Sequence, residues 1–221
     1  NLGLVEGNGT LALNSGNLPA GNFNSFLDCS TGGTLEYTGA GNYTIIATQY
    51  NSVTNIFFTG SGTRILPNKD LTICNRLVID GPTLDNSINN KGLIIKGTME
   101  RYNTGAFNAG TGATATVSFQ GTSNQDLGGV LGTFNATNRF NNLEINNNSG
   151  LTLGSGTIEV IGNLLLTNGI INTSSTNRLV LLNSSSSSVI PAGGSTSSFI
   201  NGPFTKYILA GNSFIFPLGN G

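Results

Sequence analysis

Apolar residues along this chain come in pairs and triplets spaced two apart, without the three-and-four rhythm of an amphipathic helix. Between positions 135 and 172 it reads Leu143-Glu144-Ile145, Leu151-Thr152-Leu153, Ile158-Glu159-Val160 and Leu164-Leu165-Leu166, each bounded by Gly or Asn. Alternation at period two predicts half-buried strands, and runs of three or four residues are too short to close a core alone. Such strands become stable when coil stacks on coil. The pattern therefore predicts an all-β chain folded as a right-handed parallel β-helix, a solenoid.

Turn chemistry favours that reading over a sandwich of hairpins. Asp80-Gly81 and Asn168-Gly169 could make two-residue hairpin turns, but most corners are one or two Gly or Asn residues between very short runs. Asn side chains at corners, among them Asn141, Asn142, Asn147, Asn163 and Asn172, can hydrogen-bond in ladders where like residues stack on successive coils.

Along the chain, residues 1–29 read as an N-terminal capping coil and residues 30–198 as the β-helix. Residues 199–221, with Phe204 and Phe214-Ile215-Phe216-Pro217, read as the start of a following β domain or a capping hairpin. Within the helix a displacement of 142 − 55 = 87 positions lays Asn55-Ile56-Phe57-Phe58 over Asn142-Leu143-Glu144-Ile145. The same displacement places Leu71 on Ile158, Leu77 on Leu164 and Leu84 on Ile171. An approximate duplication is the expectation.

Composition narrows the function. Charged residues make up 9% of the chain against a usual ~25%, yet hydrophobic residues reach 37%, so the chain has the apolar content to fold. A net charge of −1 without a Lys or Arg cluster offers no footprint for nucleic acid. Apolar runs fall far short of the ~20 residues of a membrane helix, so no membrane span is expected. The first residue is Asn1 and the last five are Pro217-Leu218-Gly219-Asn220-Gly221, which reads as a piece of something longer.

Candidate chemistry is sparse. The chain has no His, which removes the imidazole on which most Ser and Cys nucleophiles depend. The densest charged grouping is Lys69, Asp70, Arg76, Asp80 and Asp85. Asp80 and Asp85 are the pair to weigh for glycoside hydrolysis, although acids at turns are their ordinary placement. No calcium-loop spacing appears, so no catalytic, cofactor-binding or metal residues are assigned and no cofactor is expected. Tyr37, Tyr43, Tyr50 and Tyr102 are candidates for a carbohydrate platform. The two cysteines, Cys29 and Cys74, are either a disulfide or two buried thiols, and spacing alone leaves both open.

Certain phrases carry a resemblance. Gly105-Ala106-Phe107-Asn108-Ala109-Gly110-Thr111-Gly112, Val117-Ser118-Phe119-Gln120-Gly121-Thr122, Phe140-Asn141-Asn142-Leu143-Glu144-Ile145-Asn146 and Gly162-Asn163-Leu164-Leu165-Leu166-Thr167-Asn168-Gly169 are four of them. Asn201-Gly202-Pro203-Phe204 followed by Phe214-Ile215-Phe216-Pro217-Leu218-Gly219 is the fifth. Together they resemble long cell-surface proteins of Bacteroidetes exported by type IX secretion, often carrying gliding-motility-associated or sorting C-terminal domains.

The resemblance implies a non-enzymatic, extracellular stalk in a large adhesin-like protein on a bacterial surface. The partner it implies is the type IX secretion machinery; surface glycans and other copies of the chain are the further candidates, the latter because open solenoid ends expose unpaired strands. The alternatives are a β-helix protein that binds or cleaves polysaccharide, and a self-assembling filament subunit.

Overall fold

The computed structural model describes residues 1–30, 32–128 and 132–220. They form a parallel β-solenoid of about nine turns with three faces. One full coil shows the path: Leu93–Ile95 lies on the first face, Thr98–Tyr102 on the second and Ala106–Asn108 on the third. The next coil then returns to the first face at Thr116–Phe119.

Two long strands turn the corner between the first two faces without interruption. Ser52–Phe58 and Leu71–Asp80 pair from Ser52↔Thr72 to Phe58↔Ile79, with a register shift between Val53 and Asn55. The extra residue at that shift bends the strand, as β-bulges do. Cys74 sits in this bend.

Inward side chains stack in files because each residue lies directly over its equivalent in the previous coil. Leu71, Leu93, Val117, Leu143, Leu164 and Val189 make one file on the first face. Val53, Ile73, Ile95, Phe119, Ile145 and Leu166 make the other. Every one of these residues is buried. At about 1.5–3 kcal/mol for each fully buried large apolar side chain, the files are the main favourable term in the fold. Phe107, Phe134 and Phe140 fill the third face where its strand ladder changes sheet, with ring centroids 4.9–6.1 Å apart.

The repeat unit is a single coil. Leu35, Ile56 and Leu77 stand over one another at 56 − 35 = 77 − 56 = 21 residues. Farther along, Ile171 and Ile200 are neighbours at 200 − 171 = 29 residues. The 87-residue displacement matches inward positions from different faces: Leu71 lies on the first and Ile158 on the third, while Leu84 lies on the third and Ile171 on the second. An alternating pattern is alike on every face, so it aligns by inward orientation without aligning by coil.

At the N-terminal end Thr10–Leu13 pairs with Thr34–Tyr37, and a single helical turn, Asn24–Leu27, puts Phe26 and Leu27 into the core beside Phe23. Residues 200–206 continue the stack where a hairpin or new domain was expected. Ile200–Asn201 pairs in parallel with Ile171–Asn172, and Phe204–Lys206 with Leu179–Leu181. Ile200 falls in register on a buried file, so adding a rung buries it.

Corner amides do hydrogen-bond across coils. Asn172 accepts from Asn201 at 3.1 Å and Asn55 from Asn75 at 2.7 Å. Buried Asn141 and Asn147 mostly donate to backbone carbonyls of the preceding coil, Gly112 at 2.6 Å and Ser123 at 2.7 Å. That use satisfies backbone groups which the turns leave unpaired.

Candidate functional site

The charged grouping read from the sequence is dispersed by the coil path. Asp80 ends a second-face strand, where it accepts from Asn103 at 2.6 Å. Asp85 lies on the third face and caps its own turn through the Ser87 backbone N–H at 2.8 Å. The two acids belong to different sheets and do not face each other across a cleft. Arg76 pairs with Glu100 at 2.5 Å, and Lys69 donates to Asn51 at 2.8 Å.

Two of the four candidate platform tyrosines are core residues. Tyr37 and Tyr50 are buried, with their hydroxyls 2.8 Å apart, and burial pushes the Tyr37 phenol up to about 12 and raises that of Tyr50 well above its ordinary value. Tyr43 is half-buried under the Arg64 guanidinium, and burial raises its phenol despite that cation. Tyr102 remains on the outer side of the second face, donating to Glu100 at 2.6 Å. The Glu100 carboxyl loses solvation there, but bonds from Arg76, Tyr102 and Thr98 outweigh that loss and hold it below the ordinary carboxylate range.

Cys29 and Cys74 are joined, with Cα atoms 5.4 Å apart. The bond runs from the loop after the N-terminal helical turn to the bend of Leu71–Asp80. It passes the intervening strand Ser52–Phe58, whose Thr54 hydroxyl donates to the Asp28 carbonyl at 2.6 Å. The bridge staples the outside of the stack.

Two of the concavities on the outer surface bear on function. One, of about 440 Å³, is lined mainly by Ile46, Ile65, Pro67 and Ile88, with Lys69 beside it. The other, of about 270 Å³, lies on the first face and is lined by apolar and polar groups together. Its floor follows the outward file Ile94, Ser118 and Glu144, set by the pairing of successive coils. Asp70 and Gly92 line it at one end, where the Asp70 carboxylate accepts from the Gly92 backbone N–H at 2.7 Å.

A short chain of hydrogen bonds fixes the polar groups of this groove. Gln120 donates to the Ser118 hydroxyl at 2.9 Å, and Ser118 donates to Glu144 at 2.7 Å. Thr167 donates to the other Glu144 oxygen at 2.7 Å. Ser118 is only 4% exposed, so its hydroxyl holds Glu144 in a fixed orientation. Strand alternation placed Ser118 and Glu144 on the outer side, but their approach across 26 positions needed the register.

The buried Arg64 was also missed. Its guanidinium donates to the carbonyls of Thr38, Gly39 and Gly41 in one corner and of Thr59 and Ser61 in the next, at 2.7–3.1 Å. The signal was in the text as Thr38-Gly39-Ala40-Gly41 and Thr59-Gly60-Ser61-Gly62, a motif repeated at the coil spacing.

Among the described residues no group of three or more His, Cys, Asp or Glu side chains is placed to hold a metal ion, and no helix is long and apolar enough to cross a membrane. No family model, curated protein or solved structure matches the chain.

Proposed function

We propose that this chain is a non-enzymatic, extracellular structural and adhesive module, a stiff segment of a large secreted cell-surface protein of a bacterium. The observation that carries the reading is the unbroken parallel ladder along the second face, from Thr10–Leu13 through Leu71–Asp80 to Ile200–Asn201. Backbone hydrogen bonds along that ladder share a load among many coils, and nine coils at about 4.8 Å make a rod roughly 40 Å long. The Cys29–Cys74 bond supports an oxidising compartment. The phrases shared with type IX-secreted Bacteroidetes proteins support export by that machinery.

Labelling of intact cells with an antibody against the chain, before and after protease shaving, tests the location. Label that shaving removes is expected; antigen reached only after lysis would refute it. Incubation with a panel of polysaccharides tests the absence of catalysis. Turnover that Asp70→Asn or Glu144→Gln abolishes would replace this reading with a polysaccharide-acting enzyme, the alternative favoured by the carboxylates lining the first-face groove.

A further inference from the structure

We infer that the first-face groove is a binding site for an amino sugar carried on a polysaccharide, a ligand class that rests on the adhesive reading above. At about 270 Å³ the groove is just below the ~300–1,000 Å³ of drug-sized ligand pockets, room suited to a single sugar ring. Ile94 in the floor offers an apolar contact to the C–H face of such a ring, while Thr116, Ser118, Gln120, Asp70 and Glu144 surround it with hydroxyl, amide and carboxylate groups.

Charge selects among sugars. The groove is lined by two carboxylates and by no Lys or Arg. Among the described residues the ion pairs are Arg76 with Glu100 and Arg139 with Glu159, so neither Asp70 nor Glu144 has a cationic partner among them. Uronates and sulfated sugars would be repelled, and a protonated amine would supply the missing cation. Each Glu144 oxygen accepts one hydroxyl from the chain and keeps a second lone pair for a ligand N–H. Because Ser118 and Thr167 already orient the carboxylate, little ordering remains to oppose binding.

Titration calorimetry of the full chain in mildly acidic, low-salt buffer tests this with chitosan oligosaccharides, their fully N-acetylated counterparts, polygalacturonate and a lysine oligopeptide. Chitosan oligosaccharides should bind and weaken as salt is added. Glu144→Gln should lose about tenfold or more in affinity, as expected for a charge-assisted hydrogen bond, and Asp70→Asn should also weaken binding. The acetylated sugars should bind less well and polygalacturonate not at all.

No binding of chitosan, or unchanged affinity in both variants with melting curves like the parent, would overturn the site. Equal affinity for the acetylated sugars would overturn the charge argument, and equal affinity for the lysine peptide would reassign the groove to protein. A surface-exposed rod that binds none of these probes sinks this inference alone, whereas chitosan binding by a chain found only inside cells sinks the adhesive reading alone.

Discussion

The Arg64 guanidinium lies 4.3 Å from the centre of the Tyr43 ring, one coil away in the same inward file. Arg64 is fully buried and no carboxylate among the described residues pairs with it; its counter-charge is the set of five carbonyl dipoles at two stacked corners. Those corners approach closely enough that a Cβ on Gly60, where φ is +82°, would lie 2.0 Å from the Gly39 carbonyl oxygen. Glycine at that corner and arginine within it are parts of one device: bare backbone brings the carbonyls together, and the cation neutralises them.

Replacing Arg64 by Met should therefore cost more than the loss of packing alone. Several carbonyls would lose charged partners inside the stack, and the expected loss is about 3–5 kcal/mol, read as a fall in the midpoint of urea unfolding. Arg64→Lys keeps the charge but lacks the planar fork, so it should fall between parent and Met variant. A Met variant as stable as the parent would show that the carbonyls do not need the cation.

The bond between Cys29 and Cys74 closes a separation of 45 residues. On the loop-entropy account a bridge of that span contributes roughly 4 kcal/mol. A Cys29→Ser, Cys74→Ser double variant should unfold at correspondingly lower urea. Reductant should move the parent to the same midpoint and leave the variant unmoved. Equal midpoints for oxidised parent and variant would contradict this.

Alkali should expose the paired tyrosines. Burial raises the Tyr37 phenol to about 12 from an ordinary 10.0, so the unfolded chain releases protons that the folded chain retains. The stabilisation from keeping these phenols neutral is complete below pH 10 and disappears as pH rises through about 12. Absorbance of phenolate during an alkaline titration should show Tyr37 and Tyr50 ionising last, together with loss of β signal. A Tyr37→Phe, Tyr50→Phe double variant should lose less stability over the same range. Phenolate absorbance accounting for all five tyrosines while the β signal is intact would refute the pairing as a buried one.

How much of this was legible in the chain depends on distance along it. Period-two alternation in Leu143-Glu144-Ile145 and Ile158-Glu159-Val160, with Gly and Asn at corners, determined by itself that the protein is all-β and stacked, because inward and outward orientation is a local property of an extended backbone. Which coil lies on which was decided only by the tertiary structure. Coil length varies, from 20 residues between Leu151 and Ile171 to 29 between Ile171 and Ile200, and alternation looks the same on all three faces. The register then settled what local pattern could not: that Ser118 reaches Glu144, that Asp80 and Asp85 part onto different faces, that Cys29 meets Cys74, and that a lone arginine finds five carbonyls. Each of these joins residues from different sheets or different coils, so its free energy exists only once the stack has formed.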